Sequence, residues 1–148
     1  MASGAFPTPS ARPWCSAVTD ATTSFGDPTT APFWTAAARR ELVVQRCPFC
    51  GAFQHYPRPF CLSCDAAELE WVPVGGGATV YAATTVHLRV DPALEPPYVV
   101  AVVELDEGPR LTTNIVGGHA PIGARVRLTW RDRDGAPPLP VFTPELAS

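Results

Sequence analysis

The chain has 148 residues, 46% hydrophobic and 17% charged, with eleven basic side chains against fourteen acidic ones and a net charge of −3. That length allows one compact domain, or a small domain joined to a metal-stapled module. The mild acidity gives no global attraction to nucleic acid or to anionic membranes. Eighteen prolines exclude a helical bundle, because proline lacks the amide hydrogen that helix interiors and central strands require.

Residues 1–27 are rich in Pro, Ser, Thr, Ala and Gly and show no period, which predicts a flexible arm carrying Trp14 and the unpartnered thiol of Cys15. The arm has no apolar run long enough for a signal-peptide core. The longest apolar run anywhere, Tyr98–Val103, is far short of the roughly 18 residues of a membrane span. The expectation is a cytoplasmic protein without a membrane partner. A helix is predicted over 32–42, with Thr30 as its cap, Pro32 in its first turn and alanines following. Phe33, Trp34, Ala37, Ala38 and Glu41 share one face of it, with Arg39 and Arg40 outside. A helix this short is marginal alone in water. It needs a surface to lie against, its own domain or a partner subunit.

Next come Cys47-Pro48-Phe49-Cys50-Gly51 and Cys61-Leu62-Ser63-Cys64, with ten residues between Cys50 and Cys61. Each C-x-x-C knuckle turns two sulfurs toward one point, and two knuckles supply the four thiolates that tetrahedral zinc takes at about 2.3 Å per bond. Gly51 lets the backbone turn directly after the second ligand. Four protein ligands leave no open position for water, so the metal is structural. A redox disulfide would need only one knuckle, and the reducing cytosol favours metal. Iron is a chemically competent alternative to zinc at four thiolates. His55, between the knuckles, reads as a surface residue of the ribbon's loop.

After Gly75-Gly76-Gly77 the period becomes two. Five strands are predicted. In 78–90, Val80, Ala82, Val86, Leu88 and Val90 share a face. Tyr98–Leu105 is continuously apolar, as for a strand covered on both sides. Asp106-Glu107-Gly108 turns into Arg110–Val116. Ala124–Arg131 sets Val126, Leu128 and Trp130 against Arg125, Arg127, Thr129 and Arg131. Leu139–Phe142, between prolines, is expected at an edge. Closing these into a five-stranded barrel of the OB type disposes of most sheet edges. The predicted organisation is an arm (1–27), a helix plus zinc ribbon (28–72) and an OB-fold domain (73–148), a mostly β chain. His87 and His119 stand isolated, Ser63 lies inside a knuckle, and Glu104, Asp106 and Glu107 form a solvated turn. No set of nucleophile, base and oxyanion donor emerges, so the chain is not expected to be an enzyme.

The runs Phe33-Trp34, Leu42–Gly51 and Tyr56–Cys64 resemble the DUF35 proteins, zinc-ribbon OB-fold proteins associated with acyl-CoA metabolism. The likeness continues through Trp71–Val74, Val80-Tyr81, Pro97–Val100, Glu104–Gly108, Asn114–Gly117, Ile122–Val126 and Leu139–Phe142, covering about 30–143. The resemblance implies a rubredoxin-like ribbon whose Zn(2+) is held by Cys47, Cys50, Cys61 and Cys64. It also implies an accessory subunit that partners a thiolase-superfamily enzyme (thiolase, acyltransferase or retro-aldolase) acting on acyl-CoA thioesters, steroid side-chain esters among them. Helix and ribbon would dock on the enzyme, with Phe33, Trp34, Phe53, Tyr56 and Phe60 at the interface, and the OB domain would shape the acyl-CoA passage. The same aromatics have an equal reading as packing between ribbon and barrel. A second function class is single-stranded nucleic-acid binding, which zinc ribbons and OB domains also perform. Its best support is the stripe of Arg125, Arg127, Arg131 and Arg133. Arg125 and Arg127 are alternatively CoA phosphate contacts, or simply a solvated strand face. The net charge of −3 and the lack of exposed aromatics among the basic residues weigh against nucleic acid.

Overall fold

In the computed structural model, which describes residues 27–146, the helix α1 (Ala31–Ala38) leads into three short strands, β1 (Val43–Arg46), β2 (Phe53–Gln54) and β3 (Glu70–Pro73). The reading of Trp14 and Cys15 in an arm lies outside the described residues. Five longer strands follow: β4 (Gly77–Val86), β5 (Tyr98–Leu105), β6 (Arg110–Ile115), β7 (Arg125–Arg133) and β8 (Ala136–Pro144). The first three form an antiparallel sheet in the order β2-β1-β3, and the last five close a barrel in the order β4-β5-β6-β8-β7. This is the expected class: mostly strands, one N-terminal helix and a closed five-stranded barrel. The ribbon strands went unread because stretches of two to four residues are too short to show a period.

Helix α1 differs from its prediction at both ends. Thr30 makes no side-chain cap; Asp27 does that work, its carboxylate accepting the N–H groups of Thr29 (2.8 Å) and Thr30 (3.0 Å). The helix stops at Ala38 rather than 42. Arg40 takes a left-handed φ of 59°, its N–H donates to the Ala37 carbonyl (2.8 Å), and the Glu41 N–H reaches back to Ala36 (3.0 Å). This is a Schellman closure made without glycine. Its buried face is therefore Phe33, Ala36 and Ala37, and Glu41 lies past the end, paired with Arg39 at the surface (3.1 Å). Phe33 and Ala36 join Leu42, Val43 and Val44 of the ribbon and Val80, Val103, Val126 and Phe142 of the barrel in one continuous core.

Three strand expectations are corrected. The first barrel strand ends at Val86, not 90. A bulge at Tyr81 between the pairs Val80↔Val103 and Ala82↔Val102 resets the alternation. Beyond Val86 the chain leaves the barrel, so Leu88 and Val90 are 71% and 74% exposed. Strand β5 is not covered on both sides. Ala101, Val103 and Leu105 are buried, Val100 and Val102 are half-buried, and Glu104 is exposed. Strand β8 is not an edge: it sits between β6 and β7 and closes the barrel. Its prolines are tolerated because it meets β6 at one register pair only, Ile115↔Phe142, leaving most of that side without a ladder to interrupt.

The glycine run is a close approach. Gly76 has φ +77°, its carbonyl accepts the Leu128 N–H (2.8 Å), and a Cβ there would lie 2.6 Å from the Leu128 Cβ. Gly135, at φ +68°, has open space around it. Gly76→Ala is therefore expected to cost at least about 2 kcal/mol and Gly135→Ala only about 1 kcal/mol, the left-handed backbone alone accounting for the latter. Chemical denaturation of both variants measures the gap; equal losses would disprove the close-packing argument.

Candidate metal centre and adjoining groove

The two knuckles fold alike. The Cys47 N–H donates to the Ala52 carbonyl (2.9 Å) and the Gly51 N–H to the Cys47 carbonyl (2.9 Å). In the second knuckle the Cys61 N–H donates to Ala66 (2.8 Å) and the Asp65 N–H to Cys61 (3.0 Å). The residue after each second cysteine is left-handed, Gly51 at φ 73° and Asp65 at φ 60°. Asp65 is the glycine's counterpart, and the signal in sequence is the tolerance of Asp for that region.

All four sulfurs lie within 4.8 Å of one another, with 3.6 Å between Cys47 and Cys64 and between Cys50 and Cys61. Bonds of about 2.3 Å to a tetrahedral centre imply edges of about 3.8 Å, so the donor set fits zinc. Cys47 and Cys61 are fully buried, Cys50 and Cys64 exposed. The Ser63 N–H, aimed at the Cys61 sulfur from 3.4 Å, leads the backbone donors that bring this thiol down to about 7. Cys47 is lowered in the same way, chiefly by the Cys50 N–H. Cys64 is favoured as thiolate by the Ala66 N–H, yet its bond to Cys47 and local desolvation by the neighbouring knuckle push it up to about 12. Without a cation the four thiols thus share protons; bound zinc supplies the counter-charge that lets all four ionise, and it leaves no site for water.

A buried glutamine pair, which sequence reasoning missed, holds the knuckles in register. Gln45 and Gln54 are opposite one another on β1 and β2. The Gln54 side-chain amide donates to Gln45 Oε1 (3.0 Å) and to the Phe60 carbonyl (3.1 Å), and its Oε1 accepts the Leu62 N–H (3.0 Å). Gln45 donates to the Arg58 carbonyl (2.9 Å) and accepts the Arg58 N–H (2.8 Å). These bonds tie the loop leading into Cys61 to the sheet carrying Cys47. The signal was two glutamines beside apolar strand residues, which must find partners when buried.

A groove of about 430 Å³ adjoins the ribbon, walled by Phe33, Trp34, His55 and Tyr56 on one side and by 110–114 and 139–141 of β6 and β8 on the other. His55 is not the surface residue expected of the ribbon's loop. It is half-buried, 5.5 Å from the Phe33 ring and 5.5 Å from that of Tyr56, and burial pushes its imidazole down to about 4.

The structure places the five expected interface aromatics at different depths. Phe33 is in the core, Trp34 and Phe53 are half-buried against it, and Tyr56 and Phe60 are exposed. Phe49 and Leu62, one from each knuckle, are 69% and 60% exposed. Arg125 chelates Asp106 through two bonds (2.6 and 2.9 Å), and Arg127 pairs with Glu145 (3.1 Å). His87 is exposed, and His119 lines a small depression beside β4. Among the described residues, no helix is long and apolar enough to cross a membrane.

Two family models match in order along the chain, the rubredoxin-like zinc ribbon domain of ChsH2 over residues 34–70 and its C-terminal OB-fold domain over 71–131. A solved structure, the Ltp2-ChsH2(DUF35) aldolase, contains a chain 40% identical to this one, superposing with a TM-score of 0.75 over 80% of this chain and 96% of that one. The chain belongs to the DUF35 family. Among curated DUF35 relatives, a DUF35 domain-containing scaffold protein of Methanothermobacter thermautotrophicus is 31% identical over 98 residues, 63% of this chain and 74% of that protein. A probable enoyl-CoA hydratase alpha subunit of Thermomonospora curvata is 44% identical over 116 residues, 76% of this DUF35 chain. The chain spans only 36% of that protein's length.

Purified protein is expected to carry one zinc per chain by elemental analysis, with Cys50→Ser abolishing it. Gln54→Ala strands buried polar groups, at about 1–3 kcal/mol each, and is expected to speed zinc loss to a chelator. A folded, metal-free wild type would overturn the assignment. His55 adds a pH dependence. Its folded value of about 4 lies below the ordinary 6.5 or so, so between them the unfolded chain binds the extra proton. Stability is therefore full above about pH 6.5 and declines as pH falls toward 4; His55→Phe is expected to flatten that decline in thermal melts.

Proposed function

We propose that this chain is a non-catalytic accessory subunit that docks on a thiolase-superfamily enzyme acting on acyl-CoA thioesters, steroid side-chain esters among them. The observation that carries this reading is the 40% identity to the DUF35 chain of an aldolase complex over 96% of that chain. The hydratase alpha subunit name of a second relative supports a CoA-thioester setting. The proposed units are the arm (1–27), the helix with ribbon (28–72) and the barrel domain (73–148). Docking falls to the helix and ribbon, and shaping the acyl-CoA passage to the barrel.

Physical support comes from the ribbon. Tyr56, Phe60, Phe49 and Leu62 stand exposed around a metal-rigidified loop pair, and exposed apolar patches on folded domains mark interaction sites. Tyr56 and Phe60 are the proposed anchors, backed by the half-buried Trp34 and Phe53, with Phe33 supporting them from the core. Arg127, tied only at the surface to Glu145, and Arg125 beside it are the proposed contacts for a CoA phosphate. A CoA phosphate and a nucleic-acid backbone would each have to displace Asp106 and Glu145 there, and the net charge of −3 weighs against the longer polyanion.

The test is co-expression with a thiolase-fold partner, size-exclusion chromatography and assay of each component. A co-eluting complex is expected, with turnover of acyl-CoA residing in the enzyme and none in the isolated chain. Truncating Tyr56 and Phe60 to alanine together is expected to cost at least about 2 kcal/mol, a roughly 30-fold weaker complex, with zinc content unchanged. Turnover by the isolated chain, or an enzyme equally soluble and active with no complex formed, would refute the accessory role.

A further inference from the structure

Between its first and last cysteine the ribbon has, apart from the metal ligands, a single charged side chain. From Cys47 to Cys64 there is no Asp or Glu, and Arg58 is the only Arg or Lys between residues 47 and 88. It is exposed, and among the described residues its guanidinium has no ion pair and no hydrogen bond, to sulfur included. Most other arginines are engaged. Arg39, Arg40, Arg89, Arg110, Arg125 and Arg127 each meet a carboxylate. Arg133 bonds the Pro137 carbonyl, and Arg46 lies 5.8 Å from the Phe53 ring centroid.

The backbone that carries Arg58 is fixed. Gln45, buried on β1, holds it from both sides, accepting the Arg58 N–H (2.8 Å) and donating to the Arg58 carbonyl (2.9 Å). Pro57 and Pro59 flank it, each with φ set by its ring, and Pro57 is buried. The result is a ridge, Tyr56-Pro57-Arg58-Pro59-Phe60, on which Tyr56 and Phe60 stand 55% and 43% exposed. Docking on this ridge orders side chains only, which keeps the entropic cost low. Aromatic residues and arginine together are the composition of interface hot spots.

We propose that Arg58 is the charged anchor of the ribbon's docking face and pairs with a carboxylate of the partner enzyme, set among apolar side chains. The inference rests on the docking reading above and adds the chemistry of the surface that the ribbon meets. Contacts that cover Tyr56 and Phe60 also take Arg58, between them, out of water. A guanidinium desolvated without a counter-charge is strongly unfavourable, and the chain itself offers none. The partner must supply the anion. Two parallel N–H groups of a guanidinium match the two oxygens of one carboxylate. Phosphate sites gather several donors, as at helix N-termini and backbone nests, whereas Arg58 stands alone in its stretch of sequence.

Calorimetric titration of the full-length, zinc-loaded chain into the thiolase-fold partner enzyme tests this. Arg58→Met is expected to weaken the complex at least about 30-fold, and Arg58→Glu at least about 100-fold. Arg58→Lys is expected between Arg58→Met and wild type, because it keeps the charge and loses the fork. Arg89→Glu, the same change of charge on the loop after β4, is expected to stay within about twofold of wild type. Zinc content is expected to hold in every variant. On the enzyme, changing exposed Asp and Glu residues to Arg one at a time is expected to yield one variant that restores binding of the Arg58→Glu chain. Equal affinity of the Arg58→Met and wild-type chains would overturn the anchor and leave the docking reading standing, whereas no complex with wild type would end both. Zinc loss on changing Arg58 would assign it to the metal site, and weaker CoA binding with an equally tight complex would assign it to a phosphate. Either result would overturn the carboxylate pairing.

Discussion

Four thiols within 4.8 Å of one another cannot all ionise without a cation among them, and the ribbon has little else to hold it. Its strands are four, two and four residues long, far below what folds on its own core. Structural zinc adds about 10–16 kcal/mol of apparent binding energy, and the two knuckles deliver it by a repeated device. A left-handed residue after the second cysteine turns the chain back, so that backbone N–H groups point at sulfur. The glutamine pair then converts a local metal site into a sheet, because its five hydrogen bonds join the second knuckle's loop to the strands on either side of the first.

From that sheet the order propagates outward. Leu42, Val43 and Val44 are buried because β1, fixed at one end by Cys47, is laid across the helix and the barrel. Helix α1 is only eight residues long and would not persist alone in water; it is held by Phe33 and Ala36 in the shared core and by its closure at Arg40. Arg40 also reaches Asp132 on β7 (2.8 Å), so the residue that ends the helix also ties it to the barrel. The groove is the space left where this helix and the His55-Tyr56 loop stand off from β6 and β8.

Sequence made the centre of this architecture legible and its margins less so. The cysteine spacing was unambiguous because four ligands at two fixed intervals have few other uses. Barrel strands could be read wherever alternation was undisturbed, as in Val126, Leu128 and Trp130. Reading failed where a local feature changed the rule: the bulge at Tyr81 reset the alternation of β4, the strand ended at Val86 before Leu88 and Val90, and the left-handed Arg40 cut the helix short. Proline in β8 argued wrongly for an edge, since closure needs only one bridge to β6. Gln45, Gln54 and His55 were passed over because their roles depend on what lies across the fold, and one-dimensional spacing does not encode that. Exposure divided the aromatics in a way no period predicted, sending Phe33 to the core and leaving Tyr56 and Phe60 outside.

The distribution of unsatisfied surface follows from the same construction. Acid–base pairs join β5 to β6 through Glu104 and Arg110 (3.0 Å) and β5 to β7 through Asp106 and Arg125 (2.6 Å). The Arg110 guanidinium carbon also lies 3.6 Å from the Tyr81 ring centroid, so the bulged residue of β4 meets a cation already committed to Glu104. Exposed pairs of this kind contribute little to stability, but they engage Arg110 and Arg125 with carboxylates on the neighbouring strand. The ribbon is built the other way. Its polar groups are turned inward on glutamine and sulfur, and its apolar Phe49, Phe60 and Leu62 are turned out on loops too short to fold over them. A module that cannot bury its own aromatics, held rigid by metal, presents them with little ordering entropy left to lose on binding. For the proposed docking, the ribbon's advantage is this rigidity rather than exposure alone, because Tyr81, Leu88, Val90 and Ile122 of the barrel domain are exposed as well.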